Sequence, residues 1–312
     1  MKTVLIAEIT EVCQVTPTPN YLQTDFFGDQ HSLQSNAFFS MFCDIKEFTR
    51  RPHLGLFPRA ESKPPMPYPE YMIRRLRPFD PQAIRLVIFD LDGTLIDSRL
   101  DLVHSVNAAL RHIERPELPA DVIASYVGDG APVLIQRALG KEAGDEALIR
   151  RGLEFFLAYY REHKLDHTTV YEGMKETLAE IQRLTNPAIE NAQKTNGKMR
   201  HLAVLSNKPV NPSRAILEAL GLSSFFARIY GGNSFATKKP DPEGAKQLLV
   251  DLGVAPEEAA IVGDSHVDIK TGRNAGVWTV GVTYGFAPHT LNHADPDILV
   301  DSPAELSELF VS

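Results

Sequence analysis

Asp90 and Asp92 stand two residues apart at the end of the apolar run Val87-Ile88-Phe89, and Gly93 and Thr94 follow at once. A short β-branched run of this kind reads as a core strand of a parallel sheet, and in open α/β sheets ligands bind beyond the carboxyl ends of the strands. Residues i and i+2 of a strand share a side, and a chain turning away at a glycine lets both carboxylates approach one small volume. Two acids so crowded need a cation or a proton between them. Asp, Gly and Thr also build ordinary strand-end turns, so the pair is weighed with its companions.

Three further segments carry chemistry-bearing residues. Leu202 to Leu205 is a second apolar run, ending in Ser206, Asn207 and Lys208. Lys238 and Lys239 precede Pro240, which biases Lys239 toward extended backbone. Ala259 to Val262 is a third run, ending in Gly263, Asp264, Ser265, His266, Val267 and Asp268. Asn207 and Lys208 fit a site or a plain turn equally well.

In this order the segments resemble the four motifs of the haloacid dehalogenase superfamily: DxDGT, a strand-end Ser or Thr, a KPxP lysine and GDSxxD. The resemblance spans roughly residues 84 to 312. It implies an α/β fold with a Rossmann-like parallel-sheet core, interrupted by an inserted helical cap domain. It also implies catalytic Asp90, Asp92, Ser206 and Lys239, and a metal held by Asp90, Asp264 and the backbone carbonyl of Asp92. The motif selects Lys239 over its neighbour Lys238.

The chemistry of these residue types agrees with phosphoryl transfer. Mg²⁺ takes oxygen ligands from one or two carboxylates, waters and substrate phosphate. Asp268, about one helical turn beyond Asp264, is placed to orient it or a metal-bound water. Asp90 is the expected nucleophile, forming an aspartyl phosphate. Asp92 is the expected proton donor and acceptor, its negative neighbours favouring a bound proton. Ser206 and Lys239 meet the phosphoryl oxygens, with Thr94 and Asn207 beside them. Dehalogenases of this resemblance lack an acid at position 92, so a phosphatase is expected.

About 110 residues separate the first two motifs, too many for a simple crossover. Leu102, Val103, Val106, Ala109, Leu110 and Ile113 recur at helical spacing, and 131–139 and 146–163 read as helices. These segments give a cap over residues 100–170, flanked by core residues 81–99 and 171–312. Within it, Gly128, Asp129 and Gly130 resemble the cap loop of phosphoglycolate phosphatases, and Gly128 and Gly130 would let backbone N–H groups approach a small carboxylate. Asp129 departs from the asparagine of that family's loop and would repel such a substrate. Thr283-Tyr284-Gly285-Phe286 and the tail from Asp301 resemble the same group.

The expected activity is hydrolysis of a small phosphomonoester, foremost 2-phosphoglycolate, with Mg²⁺ as cofactor. A pyrophosphatase or a β-phosphoglucomutase-like phosphotransferase is the alternative. A catalytically silent phosphometabolite-binding protein is the alternative of another class, against which the full set Asp90, Asp92, Lys239 and Asp264 argues.

Residues 1–80 mix clustered prolines, such as Pro64, Pro65, Pro67 and Pro69, with scattered phenylalanines. They read as an extension without periodicity, and Met72 is the expected native start. Glu8 and Glu11 interrupt the opening apolar run, and no stretch approaches membrane-spanning length. Residues 185–198 read as a polar surface insertion. Two cysteines, Cys13 and Cys43, give no disulfide framework, so a reducing cytoplasm is expected. A net charge of −8 argues against nucleic acid as partner, and a monomer or homodimer is expected. The ten histidines carry no zinc-ligand spacing, and His266 reads as a loop contact.

Overall fold

The first apolar run becomes strand β1 (Leu86–Phe89), and its four side chains divide between two faces. Val87 and Phe89 enter one apolar cluster, and Leu86 and Ile88 another. All four are fully buried, each contributing about 1.5–3 kcal/mol of burial free energy. This two-sided burial is why the run is continuously apolar instead of alternating. The structure is a computed structural model that describes residues 79–183 and 200–311. The readings of residues 1–78, of Met72 as a start, of Cys13 and Cys43, and of the polar insertion lie outside the described residues.

The sheet runs in the order β5 (Arg228–Tyr230), β4 (His201–Leu205), β1, β6 (Ala259–Gly263), β7 (Trp278–Val282), β8 (Ile298–Val300). Every pairing in it is parallel. The flanking helices that follow the inserted segment are α5 (Met174–Arg183), α6 (Val210–Ala219), α7 (Glu243–Leu252), α8 (His266–Ala275) and α9 (Pro303–Val311). Leu178, Ile216, Leu306 and Phe310 cover the face that holds Phe89, while Ala245, Leu248 and Ala275 cover the face that holds Ile88. The α/β parallel-sheet expectation is thus met. The motif strands β1, β4 and β6 are adjacent, so their carboxyl ends meet at one point of the sheet edge.

Two short strands mark where the chain leaves and rejoins this core. β2 (Ile96–Asp97) pairs antiparallel with β3 (Thr169–Val170). Between them lie α1 (Arg99–His112), α2 (Ala120–Ser125), α3 (Ala131–Leu139) and α4 (Glu146–His163). Three of these follow the periodic stretches read from the sequence; α2 and the β2–β3 pair were not anticipated, being too short to show a period. The α4 start is set by Asp145, whose carboxylate accepts the Leu148 N–H at 2.9 Å. These helices bury their own apolar cluster, including Val106, Ile123, Leu134 and Phe156.

Two buried charges tie distant segments together. The Asp101 carboxylate, in the first turn of α1, accepts from Thr168 N at 2.9 Å and Thr168 Oγ1 at 2.7 Å. Arg200 donates to the carbonyls of Ile84 and Phe310 at 2.8 Å each and of Pro81 at 2.6 Å. Burial pushes the Arg200 guanidinium down to about 10, still charged at neutral pH.

Candidate active site

The turn after β1 needs a glycine. Gly93 has φ +82°, and a Cβ there would sit 2.4 Å from Asp264 Oδ2. That close approach brings the ends of β1 and β6 together. Asp90 is buried, and Lys239 Nζ lies 2.8 Å from its Oδ1 and 2.7 Å from Asp268 Oδ1. The other Asp268 oxygen accepts from Ser265 Oγ at 2.7 Å and Ser265 N at 3.2 Å, capping the start of α8. Asp264 Oδ2 accepts backbone N–H groups from Phe286 at 2.6 Å and Ala287 at 3.2 Å, supplied by the loop after β7.

Oxygens of Asp90, Asp264 and Asp268 lie within 4.8 Å of one another. The electrostatics suit a cation at this point. Burial pushes Asp264 up to about 8, with the Asp268 and Asp90 charges adding to it. Burial likewise pushes Asp90 up to about 6, against the pull of Lys239. Burial alone would favour a neutral Lys239, but Asp268 and Asp90 more than reverse this and hold it above the ordinary lysine value. An all-oxygen, crowded and desolvated acid set is the donor chemistry of a hard divalent cation.

Asp92 has different company. Ser98 Oγ donates to its Oδ1 at 2.5 Å, and Lys208 Nζ lies 2.8 Å from both of its oxygens. Lys208 also donates to the Tyr160 hydroxyl at 2.8 Å. Burial opposes the Lys208 charge, but Asp92 and Tyr160 outweigh it and hold the ammonium protonated. Asp90 is a negative neighbour near enough for its charge to be felt, as the sequence reading had it; the structure adds a cation, Lys208, in direct contact. From sequence Lys208 fits a site or a turn equally well, and its position just beyond the strand end, two residues after Ser206, is the one signal available. Tyr160 had no linear signal, since α4 carries it to the site from the inserted helices.

The remaining residues gather around this centre. Ser206 Oγ accepts the Lys208 N–H at 3.3 Å, stiffening the turn after β4. Asn207 Nδ2 donates to the carbonyls of Lys239 at 3.0 Å and Gly128 at 2.9 Å, while its Oδ1 is buried without a partner. Thr94 Oγ1 is likewise buried and unpartnered. Buried polar atoms left so are rare and call for a ligand or water. Gly130 has φ +88°, and a Cβ there would lie 3.3 Å from Asn207 O and 3.5 Å from Lys238 Nζ. Gly128 faces open space. Asp129, expected to repel an anion, is paired with Arg137 at 2.5 Å, which offsets its charge. Asp268, expected to orient Asp264 or a metal-bound water, accepts its hydrogen bonds from Lys239 and Ser265, and so also braces the lysine.

The centre can thus hold a divalent cation against Asp90 and Asp264 with an ammonium over the same volume. A separately braced carboxylate, Asp92, stands beside it.

Comparison with known proteins agrees with this geometry. A phosphoglycolate phosphatase of Chromobacterium violaceum is 38% identical over 229 residues, covering 72% of this chain and 96% of that protein. One from Haemophilus influenzae is 35% identical, covering 71% of this chain and 96% of its own length. A crystal structure described as a predicted phosphoglycolate phosphatase from Haemophilus somnus superposes with TM-score 0.63 at 32% identity, over 73% of this chain and 98% of that one. A haloacid dehalogenase-like family hydrolase from Streptococcus pneumoniae, 22% identical, shares the fold with TM-score 0.63, over 73% of this chain and 99% of that one. The haloacid dehalogenase-like hydrolase family model matches residues 87–282, from the first motif strand to the end of β7, and the chain belongs to that family.

Proposed function

We propose that the chain hydrolyses 2-phosphoglycolate to glycolate and phosphate, with Asp90 carrying the phosphoryl group between two displacements. The observation that carries this reading is the division of charge at the site. Asp90 is bracketed by Lys239 and the acids Asp264 and Asp268, while Asp92, two residues on, is braced by Lys208 and Ser98. A site that only bound phosphate would gain nothing from a second, separately held carboxylate. The substrate rests on the relatives named phosphoglycolate phosphatase and on the Asp129–Arg137 pair, which removes the objection to a carboxylate near the loop of Gly128 and Gly130.

Mg²⁺ is the cofactor that the oxygen-only set of Asp90, Asp264 and the Asp92 carbonyl suits, and when bound it would offset charge on the phosphoryl group. The residues do the rest. An Asp90 oxygen bonds to phosphorus as the ester P–O bond breaks, and Asp92 gives its proton to the departing glycolate oxygen. Asp92 then takes a proton from water, whose oxygen attacks phosphorus and releases Asp90 and inorganic phosphate. Lys239 and the Ser206 hydroxyl meet the phosphoryl oxygens. The Thr94 hydroxyl is free to donate to the same oxygens, while Asn207 Oδ1, an acceptor, suits a donor such as water or a substrate hydroxyl. Helices α1–α4 serve as a cap, roughly residues 100–170, that closes over the site and excludes water. The reaction belongs in the reducing cytoplasm, since two cysteines leave no disulfide framework.

The test is phosphate release from a panel of phosphomonoesters, sugar phosphates and pyrophosphate, with Mg²⁺ or EDTA, beside Asp90→Asn. Selective metal-dependent turnover of 2-phosphoglycolate, lost in the variant, is the expected result. A different preferred ester would overturn the substrate and keep the mechanism; no release by the folded protein would overturn both.

A further inference from the structure

Away from this centre, α1 and the segment before β3 bring three metal-ligating side chains together. Asp101 and His104 are three residues apart on α1 and share a face, and His167 arrives from the far end of the inserted helices. No linear spacing announces this trio, which is why the histidines gave no zinc signal in the sequence. We propose that Asp101, His104 and His167 form a binding site for one borderline divalent cation of the Zn²⁺ type.

One ligand atom from each residue lies within 4.8 Å of the other two. Tetrahedral zinc with bonds of about 2.0–2.1 Å places its ligand atoms about 3.3 Å apart. The Asp101 Oδ1 to His167 Nδ1 contact, 2.9 Å, is a hydrogen bond in this structure, and the cation would take the place of its proton. The His104 and His167 rings stand 5.1 Å apart, nearly perpendicular, and both residues are exposed, so their rings have room to turn toward a cation.

The carboxylate is prepared as ligating carboxylates are. Asp101 is 1% exposed, held by Thr168 N, Thr168 Oγ1 and His167 N, with the His167 ring beside it. Such outer donors fix the orientation of a metal-binding oxygen. Two imidazoles and one carboxylate leave a fourth position for water. This donor set sorts it from the all-oxygen cluster of Asp90, Asp264 and Asp268, because imidazole favours Zn²⁺ and carboxylate favours Mg²⁺. The three ligands also span both legs of the chain beside the β2–β3 pair, so a bound cation ties the outbound leg to the returning one.

The test is calorimetric titration of Zn²⁺ into the full chain in excess Mg²⁺, beside His104→Gln and His167→Gln, with melting temperatures taken with and without Zn²⁺. The expected result is one Zn²⁺ equivalent and a raised Tm in the parent. In each variant, binding falls by about 100-fold or more, beyond the ~10–100-fold typical of losing an outer partner. Metal-free Tm stays at the parent's level in His104→Gln, which makes no bond to Asp101, and Mg²⁺-dependent phosphate release stays at the parent's level in both. Both histidines are exposed, so the metal-free Tm shows directly whether each variant folds. No Zn²⁺ uptake by the parent, equal uptake in either variant, or Zn²⁺ that enters only by displacing Mg²⁺ would each overturn the assignment.

Discussion

Replacing Lys208 with methionine keeps the aliphatic stem and deletes the ammonium that spans Asp92 and Tyr160. Removing one partner of a buried ion pair costs about 3–5 kcal/mol, because the other charge is left uncompensated. Asp92 retains the Ser98 hydroxyl and is partly open to water, so the lower end applies, about 3 kcal/mol. At about 2–4 °C per kcal/mol for a fold of this size, Tm should fall by about 6–12 °C. The chemical step should suffer separately. A positioned general acid contributes ~10²–10⁴-fold, and a loosened Asp92 should forfeit about 10²-fold in kcat on 2-phosphoglycolate, whose leaving alkoxide needs a proton. A nitrophenyl phosphate, whose leaving group departs without one, should lose far less. The assay is paired: differential scanning fluorimetry, and kcat on both esters at saturating Mg²⁺. An unchanged Tm with equal kcat losses on the two esters would refute the idea that Lys208 works through Asp92.

Three other outcomes are expected. Asp90→Asn should abolish turnover and leave Tm within a few degrees, because Lys239 keeps Asp268 and an acid raised by burial is replaced with a neutral isostere; phosphate release and fluorimetry read both. For the metal-free protein, the sign follows from acids whose folded values exceed their unfolded 3.8: the folded state holds extra protons, and this stabilisation is lost as pH rises through about 6 for Asp90 and about 8 for Asp264. Tm in EDTA should therefore fall between pH 5 and 8, and the Tm gain from added Mg²⁺ should grow over the same window as the cation replaces protons; a flat EDTA profile would count against the buried acid cluster. Arg200→Met strips hydrogen bonds from three carbonyls and should cost about 3–5 kcal/mol in urea unfolding without changing KM; a loss under 1 kcal/mol would show that water replaces the guanidinium.

The parts legible in the sequence were those whose physics is local. β1, β4 and β6 are buried on both faces, so each appears as an unbroken apolar run, and each ends in polar residues where the sheet meets the ligand. Asp90 and Asp264 stand at the ends of such runs, and the resemblance to the family motifs named them and selected Lys239 over Lys238. What stayed hidden depends on the fold bringing remote residues together. Lys208 fits a turn as well as a site until α4 delivers Tyr160 to it. Arg200 gains its role from carbonyls at Pro81, Ile84 and Phe310, and no one-dimensional pattern records that. Asp129 looked repulsive because its partner, Arg137, lies a full helix start away. The β2–β3 pair is two residues on each side, below the length at which alternation can be seen.

Asn207 and Lys208 sit side by side after β4, and each touches both the core and the inserted helices. Asn207 joins the Lys239 carbonyl to that of Gly128; Lys208 joins Asp92 to Tyr160. This dipeptide is an interlock: two neighbouring side chains carry all four contacts. On the proposed function, with the inserted helices opening as a cap, the Gly128 and Tyr160 contacts would break together, and the two groups that hold the Lys239 carbonyl and the Asp92 carboxylate would loosen at the same moment. A variant that weakened just one contact would then let opening and chemistry fall out of step.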